Sequence, residues 1–340
     1  MGIPKASVAS WHPIDPAERG TAVPDAPDAD IDVDPHLVDR LVRAQRPDLA
    51  GPLRLVANGW DNAVFRLGDD LAVRMPRRRS AAHLIEHEQL WLPSIAERVP
   101  TPVPLPVHAG SPTPEFGWPW SIVPWFDGRS AASIDPAERT GMAQALAEFV
   151  HALAVPAPSG APHNPYRGVP LAEREDVVWD RLAGGRMQHA AELAVLWDHL
   201  VQVEPWSGPP QWVHGDLHPA NIVVTDAAPP SSADLADLAD LADHADLADH
   251  ASLVAVVDFG DLTAGDPATD LAVAWLAFDA AGRAAFRARI DELGRRDEAT
   301  WQRARAWALI WASAVAESTD GDGPIAAIGR HAVTQVLLRD

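Results

Sequence analysis

Residues 212–258 contain the most informative pattern in the chain: they begin Trp-Val-His-Gly-Asp-Leu-His-Pro-Ala-Asn-Ile-Val-Val and end Leu-Val-Ala-Val-Val-Asp. It contains two short apolar runs, 222–225 and 253–257, that are rich in β-branched residues and are therefore predicted to be strands. A polar loop precedes the first run, and a carboxylate follows the second. If the two strands pair as a hairpin, this loop and this carboxylate meet at one end of it.

Three polar residues are expected at that end of the hairpin: Asp216, Asn221 and Asp258. Phosphoryl transfer needs one carboxylate that accepts the proton of a hydroxyl group. It also needs oxygen ligands that hold Mg²⁺ against the phosphates of a nucleotide, and an amide with a second carboxylate supplies them. The sequence therefore predicts a phosphoryl-transfer site here.

The same residues carry a resemblance to a known family. The motif His214-Gly215-Asp216 with Asn221, followed by Asp258-Phe259-Gly260, is similar to the catalytic loop and metal loop of protein-kinase-like small-molecule kinases. The run Gly-Asp-Pro-Ala-Thr-Asp-Leu-Ala at 265–272 narrows the resemblance to the aminoglycoside phosphotransferase family. An isolated His-Gly-Asp is also common in ordinary turns, so the prediction depends on the ordered set.

The resemblance extends back to Gly-Trp-Asp-Asn at 59–62 and Ala-Val-Arg at 72–74, and it covers the chain from about residue 50 to its end. It implies an α+β, bilobal, protein-kinase-like fold, with a small antiparallel-sheet N-lobe that binds the nucleotide and a larger, mainly helical C-lobe. The expected organisation is a disordered tail at 1–34, an N-lobe at 35–127 and a C-lobe at 128–340, with a low-complexity insert at 226–252.

The resemblance also implies a role for each matched residue. Asp216 would be the catalytic base, and Asn221 and Asp258 would bind Mg²⁺. His214 and Asp270 would support the catalytic loop. ATP or GTP would be the co-substrate, bound by Gly59, Trp60, Asn62, Arg74, Glu88, Val123, Trp125 and Phe126.

One residue expected in the nucleotide site departs from the family pattern, and the identity of its acidic partner stays open. Arg74 stands where protein kinases and many relatives have a lysine, although its guanidinium can still fork across two phosphate oxygens. A helix predicted at 81–91 carries both Glu86 and Glu88, and either could pair with Arg74. The basic run 77–79 is interpreted as a solvated edge or an anchor of the N-lobe.

Local patterns predict most of the remaining elements. Proline at the first position and Asp34 as N-cap predict a helix from Pro35 to about Pro47. A three-stranded meander is predicted at 53–56, 63–67 and 71–75. The stretch 118–126 would end the N-lobe sheet, and its aromatic residues either border the purine or pack in the core. Further helices are predicted at 135–153, 171–182, 187–201, 283–293, 301–318 and 325–338.

Composition limits the class of protein and its partners. The 340 residues contain no cysteine, so disulfides and thiolate metal sites are excluded. The formal charge of −21 argues against a nucleic-acid partner. It suits a small cationic substrate, although acidic surfaces more commonly serve solubility alone. No apolar run is long enough to span a membrane, and no secretory signal is present, so we expect a cytoplasmic monomer or homodimer without membrane contact.

The acceptor is the least constrained part of the prediction. Asp180 and Asp261 are candidate substrate residues, although the acidic residues around Asp180 are more typical of a solvated helix face. An aminoglycoside is the family-level expectation, with sugars, amino alcohols and macrolides as alternatives on the same scaffold. A catalytically silent nucleotide-binding protein is the alternative from another class.

Overall fold

A computed structural model describes residues 29–225, 251–319 and 321–338. Most of the tail predicted at 1–34 and most of the insert predicted at 226–252 lie outside the described residues.

A five-stranded antiparallel sheet forms the first part of the chain. The strands are β1 (Leu53–Asn58), β2 (Asn62–Leu67), β3 (Leu71–Pro76), β4 (His108–Gly110) and β5 (Trp120–Pro124). Their order in the sheet is β1-β2-β3-β5-β4. The predicted meander is confirmed as β1 to β3, and β4 is a short strand that the sequence pattern did not indicate.

The predicted first helix is confirmed as α1 (Pro35–Gln45), which is followed by a 3₁₀ turn at Pro47–Leu49. It begins where Asp34 Oδ1 accepts a hydrogen bond from the backbone N–H of Leu37 at 2.7 Å. Its apolar face packs in one buried cluster with side chains from the sheet. The buried residues of this face are Leu37, Val38, Leu41 and Val42.

Helix α2 (Arg79–Ala96) follows the sheet and is longer than predicted, because it continues through Pro93. Leu92 and Ile95, in its last turns, are fully buried in the large core of the second part of the chain. This burial stabilises the helix beyond the proline, where local propensity would end it.

The second part of the chain is mainly helical, as expected. Two predicted helices begin as 3₁₀ segments, at Pro136–Met142 and Leu171–Arg174, and another 3₁₀ turn lies at Ala131–Ser133. The α-helices are α3 (Ala143–Leu153), α4 (Glu175–Ala183), α5 (Ala190–Leu200), α6 (Ala268–Leu271), α7 (Val273–Ala277), α8 (Ala280–Gly294), α9 (Glu298–Ser318) and α10 (Pro324–Leu337).

Two small antiparallel sheets lie within the helical part. One pairs β7 (Gln211–Val213) with β10 (Thr263–Gly265), and the other has three strands. Strands β8 (Ile222–Val224) and β9 (Leu253–Val256) form the predicted hairpin, with β6 (Arg129–Ser130) beside it. This arrangement brings the loop before β8 and the residues after β9 to the same end.

The apolar core lies chiefly among the helices, where α9 is buried along most of its length. Among the described residues, no helix is both long and apolar enough to cross a lipid bilayer.

Candidate active site

The loop 214–221 joins β7 to β8 and carries the predicted motif. Its backbone is fixed by Asp270, whose carboxylate accepts hydrogen bonds from the N–H groups of His214 at 2.6 Å and Gly215 at 3.0 Å. The side chain of His214 is fully buried and contacts a backbone carbonyl at the end of β9. Burial raises the pKa of the Asp270 carboxyl to about 7, although both backbone hydrogen bonds favour its ionised form.

Two backbone positions of the site have left-handed conformations. Gly215 has φ +85°, and a Cβ atom there would lie 2.4 Å from the carbonyl oxygen of Asp261, so only glycine fits. Asp258 has φ +63°, which is unusual for a residue with a side chain and costs about 1–3 kcal/mol. The surrounding structure holds the Asp258 carboxylate in place against this strain.

Asp216 is buried, and three side chains hold its carboxylate. Arg167 Nη2 and Trp311 Nε1 each donate to its Oδ1 at 3.2 Å, and His218 Nε2 lies 3.3 Å from its Oδ2. Burial would raise the pKa of Asp216, but the interaction with His218 and the charge of Arg167 outweigh it and lower the pKa below its ordinary value. Asp216 is therefore held ionised.

Asn221 is fully buried below Asp216. Its Nδ2 donates to the backbone oxygen of Asp216 at 2.9 Å, whereas its Oδ1 has no hydrogen-bond partner among the described residues. A buried amide oxygen without a partner is rare in folded proteins and is the kind of atom that a ligand or a cation satisfies.

Arg74 connects the first sheet to the end of the hairpin. Its Nη1 lies 2.6 Å from Glu88 Oε2, and its Nη2 lies 3.0 Å from Asp258 Oδ1. Glu88 is buried on α2, whereas Glu86 is exposed. Of the two glutamates considered, the structure brings Glu88 to Arg74.

A cleft lies between the five-stranded sheet and the β8–β9 hairpin. Its upper wall is a small apolar cluster of Ala57, Val64, Ala72 and Val123, and its lower wall includes Phe126 and Val257 from a second cluster. Gly59, Trp60, Asn62 and Arg74 also line the cleft. Trp125 packs against the upper cluster, with the Arg66 guanidinium 4.5 Å from its ring centroid.

The turn between β1 and β2 is fastened by arginines that follow β3. Arg77 Nη1 donates to the carbonyl oxygen of Gly59 at 2.6 Å, and Arg78 forms an ion pair with Asp61. Arg77 and Arg78 thus act as anchors of the turn, which was one of the two interpretations of the basic run. Asp61 lines a small void together with Asp216, Asp258 and Asp261.

A comparison with protein families identifies the chain. The model of the Phosphotransferase enzyme family, APH, matches residues 52–233 and 241–307. The chain belongs to this family.

Solved structures of similar fold agree with this assignment. The GDP and kanamycin complex of APH(2″)-IIIa is 17% identical with a TM-score of 0.59, over 88% of this chain and 97% of that chain. Macrolide 2′-phosphotransferase MphH from Brachybacterium faecium, an apoenzyme, is 22% identical with a TM-score of 0.55, over 83% of this chain and 90% of that chain. The expected α+β, kinase-like fold is confirmed. No curated protein matches the sequence.

The two predicted substrate residues of this phosphotransferase lie in different surroundings. Asp261 accepts a hydrogen bond from Asn164 Nδ2 at 2.9 Å and lies 3.5 Å from Arg167 Nη2, and burial raises its pKa to about 7. Asp180 is exposed on α4 and does not line the void that Asp261 shares with Asp216.

Protein side chains alone do not form a complete metal site in this phosphotransferase. Within 29–225, 251–319 and 321–338, no group of three or more histidine or acidic side chains is arranged to hold an ion. Mg²⁺ in phosphoryl-transfer sites commonly takes one or two protein oxygens and completes its shell with phosphate oxygens and water. Asn221 and Asp258 fit that pattern.

The site of this phosphotransferase includes residues that the sequence did not indicate. Arg167 and Trp311 contact Asp216 from 49 and 95 positions away, and neither belongs to a local motif. Asp61 and His218 lie within the two motifs recognised in the sequence, at 59–62 and 214–221. Their position next to the matched residues could therefore have indicated that they belong to the site.

Proposed function

We propose that this phosphotransferase moves the γ-phosphoryl group of Mg²⁺-bound ATP or GTP to a hydroxyl group of a small molecule. The observation that carries the proposal is the meeting of Asp216, Asp258 and Asn221, with the Asn221 Oδ1 unpartnered, at one end of the β8–β9 hairpin. Asn221 and Asp258 would hold Mg²⁺, which supplies charge neutralisation at the transferred phosphoryl group.

The charges around the site support a bound cation. Ion pairs and one shared void link five carboxylates to three guanidinium groups, so the carboxylates outnumber the guanidinium groups by two. Burial and the neighbouring carboxylates raise the pKa of Asp258 and Asp261, so their negative charges are not fully compensated by the arginines. Mg²⁺ would neutralise that excess and allow the anionic phosphates to enter. The groups are Asp61, Glu88, Asp216, Asp258 and Asp261 with Arg74, Arg78 and Arg167.

The cleft supports nucleotide binding. Its two apolar walls come from separate clusters on opposite sides, so a planar purine between them would bury apolar surface on both faces. Arg74 lies in the same cleft beside Asp258, where it can contact phosphate oxygens.

In the proposed reaction, Asp216 accepts the proton of the acceptor hydroxyl as its oxygen attacks the γ-phosphorus. The bond from that phosphorus to the bridging oxygen breaks, and a nucleoside diphosphate and a phosphate monoester result. Arg167, Trp311 and His218 orient the Asp216 carboxylate and keep it ionised, and Asp270 fixes the backbone that carries it.

For the acceptor, an aminoglycoside remains the family-level candidate, and kanamycin and macrolides are named with the related structures. The candidate acidic residue Asp180 is exposed, whereas the side chains that touch Asp216 are basic or aromatic. Aminoglycosides, macrolides, sugars and amino alcohols therefore all belong in the first acceptor panel.

The test is diphosphate release from Mg²⁺-ATP and Mg²⁺-GTP across this panel. Asp216→Asn should lower kcat by about 10²–10⁴-fold while nucleotide affinity is retained, because only the base is lost. Asp198→Asn removes an exposed acid from α5 and serves as the matched control. Near-normal turnover in Asp216→Asn would reject the assignment, and Mg²⁺-independent nucleotide binding without turnover would favour the silent binder.

A further inference from the structure

Helix α2 carries two histidines one turn apart. His83 and His87 are four positions apart, and side chains with that spacing lie on the same face of an α-helix. We call these two residues the histidine pair. His83 is exposed and His87 is half-buried, so a solute can reach the pair from the solvent. Neither histidine lines the nucleotide cleft or the void beside Asp216.

The two imidazole rings of the pair contact each other. Their centroids lie 5.4 Å apart, and the ring planes are nearly perpendicular, at 85°. Two imidazoles that bind one Zn²⁺ ion through nitrogen, at about 2.1 Å each, have centroids about 5 Å apart when the geometry is tetrahedral. The observed separation is therefore close to the one that a shared ion requires.

The ring nitrogens of the pair are free to bind a ligand. Among the described residues, neither ring forms a hydrogen bond or an ion pair. Burial and the neighbouring His83 lower the pKa of His87 below its ordinary value of 6.5, so this ring is neutral at pH 7. A neutral imidazole has the nitrogen lone pair that a metal ion needs.

The surroundings of the pair favour a bound cation. The negative charge of Glu86 acts on His87, and this glutamate is exposed. Arg79, one turn before His83, is also exposed, where water and salt screen its charge. The start of α2 has no side-chain cap and no acidic residue in its first turn. An ion that joins two turns near this weakly capped end would stabilise the helix.

We propose that His83 and His87 form a binding site for a late first-row transition-metal ion such as Zn²⁺, Ni²⁺ or Cu²⁺. Each histidine supplies one ring nitrogen, and water completes the coordination, because no third histidine or acidic side chain within the described residues is arranged to join them. These ions bind imidazole well, whereas Mg²⁺ prefers oxygen ligands. The pair therefore differs in chemistry from the proposed Mg²⁺ ligands Asn221 and Asp258.

The test is calorimetric titration of the metal-free full-length protein with Zn²⁺, without nucleotide. His83→Ala and His87→Ala each remove one of two protein ligands and should weaken binding at this site about 10-fold or more. Alanine is a good helix former, so both variants should keep α2. His36→Ala, which removes an exposed histidine from α1, is the matched control and should bind as the wild type does. Cu²⁺ should bind more tightly than Ni²⁺, and Mg²⁺ should not bind at the pair.

Thermal unfolding separates a metal site from a packing role of the two rings. Zn²⁺ should raise the melting temperature of the wild type and of His36→Ala more than that of either variant of the pair. If the rings only pack on each other, His83→Ala and His87→Ala would lower the melting temperature without metal, and Zn²⁺ would shift all four proteins equally.

Equal Zn²⁺ affinities in all four proteins would overturn the inference, since binding would then occur at other histidines. A wild type that binds no Zn²⁺ would overturn it as well. Neither outcome bears on the proposed phosphotransferase function, because the titration uses no nucleotide and no acceptor.

Discussion

Asp270 determines the backbone of the loop that presents Asp216. It accepts two backbone hydrogen bonds from that loop, and its side chain is buried. Its folded-state pKa is about 7, well above the ordinary value of 3.8. Because the folded state binds this proton more tightly than the unfolded state, ionisation of Asp270 opposes folding.

The resulting prediction concerns Asp270→Asn. The free energy of unfolding of the wild type, relative to this variant, should fall as the pH rises from about 4 to about 7, by an amount on the order of 4 kcal/mol. Outside that window the difference should be constant, and any loss of backbone hydrogen bonds adds an offset that does not vary with pH. Urea unfolding of both proteins at pH values from about 3.5 to about 8.5 measures this difference in free energy of unfolding. If the free energies of unfolding of the two proteins varied with pH in the same way, the raised pKa of Asp270 would be contradicted.

At the scale of the element, the β1–β2 turn is the proposed phosphate loop. It has one glycine instead of the three of the Gly-x-Gly-x-x-Gly pattern of kinases, and Arg77 and Arg78 hold it through Gly59 and Asp61. The backbone N–H of Arg77 also donates to the Asp61 carbonyl oxygen at 2.8 Å. Contacts from the end of β3 therefore restrict the conformation of this turn, which a glycine-rich sequence would leave more flexible.

We predict that Arg77→Ala and Arg78→Ala each raise nucleotide KM about tenfold, because a preorganised turn becomes mobile when a partly buried polar contact is lost. Arg79→Ala removes the same charge from the exposed start of α2 and should change KM less than about twofold. Initial rates at varied nucleotide concentration give the comparison. Equal KM values for Arg78→Ala and Arg79→Ala would indicate that the ion pair with Asp61 does not organise the turn.

At the scale of the whole molecule, the proposed nucleotide cleft joins two parts of the chain that have separate cores. The sheet supplies one wall, the β8–β9 hairpin supplies the other, and Arg74 crosses between them to Asp258. A ligand in this cleft contacts both parts and therefore stabilises the folded state of both.

Mg²⁺-nucleotide at 100 times its Kd should raise the free energy of unfolding by about 2.7 kcal/mol. Removal of Mg²⁺ with a chelator should abolish most of this effect, since the excess negative charge of the site would then repel the phosphates. Asp258→Asn should weaken the Mg²⁺ dependence, whereas Asp198→Asn should preserve it. Equal stabilisation by the nucleotide with and without Mg²⁺ would contradict the assignment of Asn221 and Asp258 as metal ligands.

The elements that could be predicted from the sequence are those whose signals are local. The cap at Asp34, the three-strand meander and the β8–β9 hairpin follow from short periodic runs and turn residues. The meeting of Asp216, Asn221 and Asp258 followed as well, because a hairpin returns the chain to its starting point. Helix ends were less predictable, as α2 shows, because burial of Leu92 and Ile95 outweighs the local effect of Pro93.

The side chains that surround Asp216 could not be predicted from the sequence, because they are brought there by tertiary packing. Arg167 lies in a loop and Trp311 on α9, both distant in sequence from Asp216. The pairing of Arg74 with Glu88 and not with Glu86 depends on which face of α2 packs inward. Such contacts leave no trace in local periodicity, because they depend on how separate elements pack and on the burial that this packing creates.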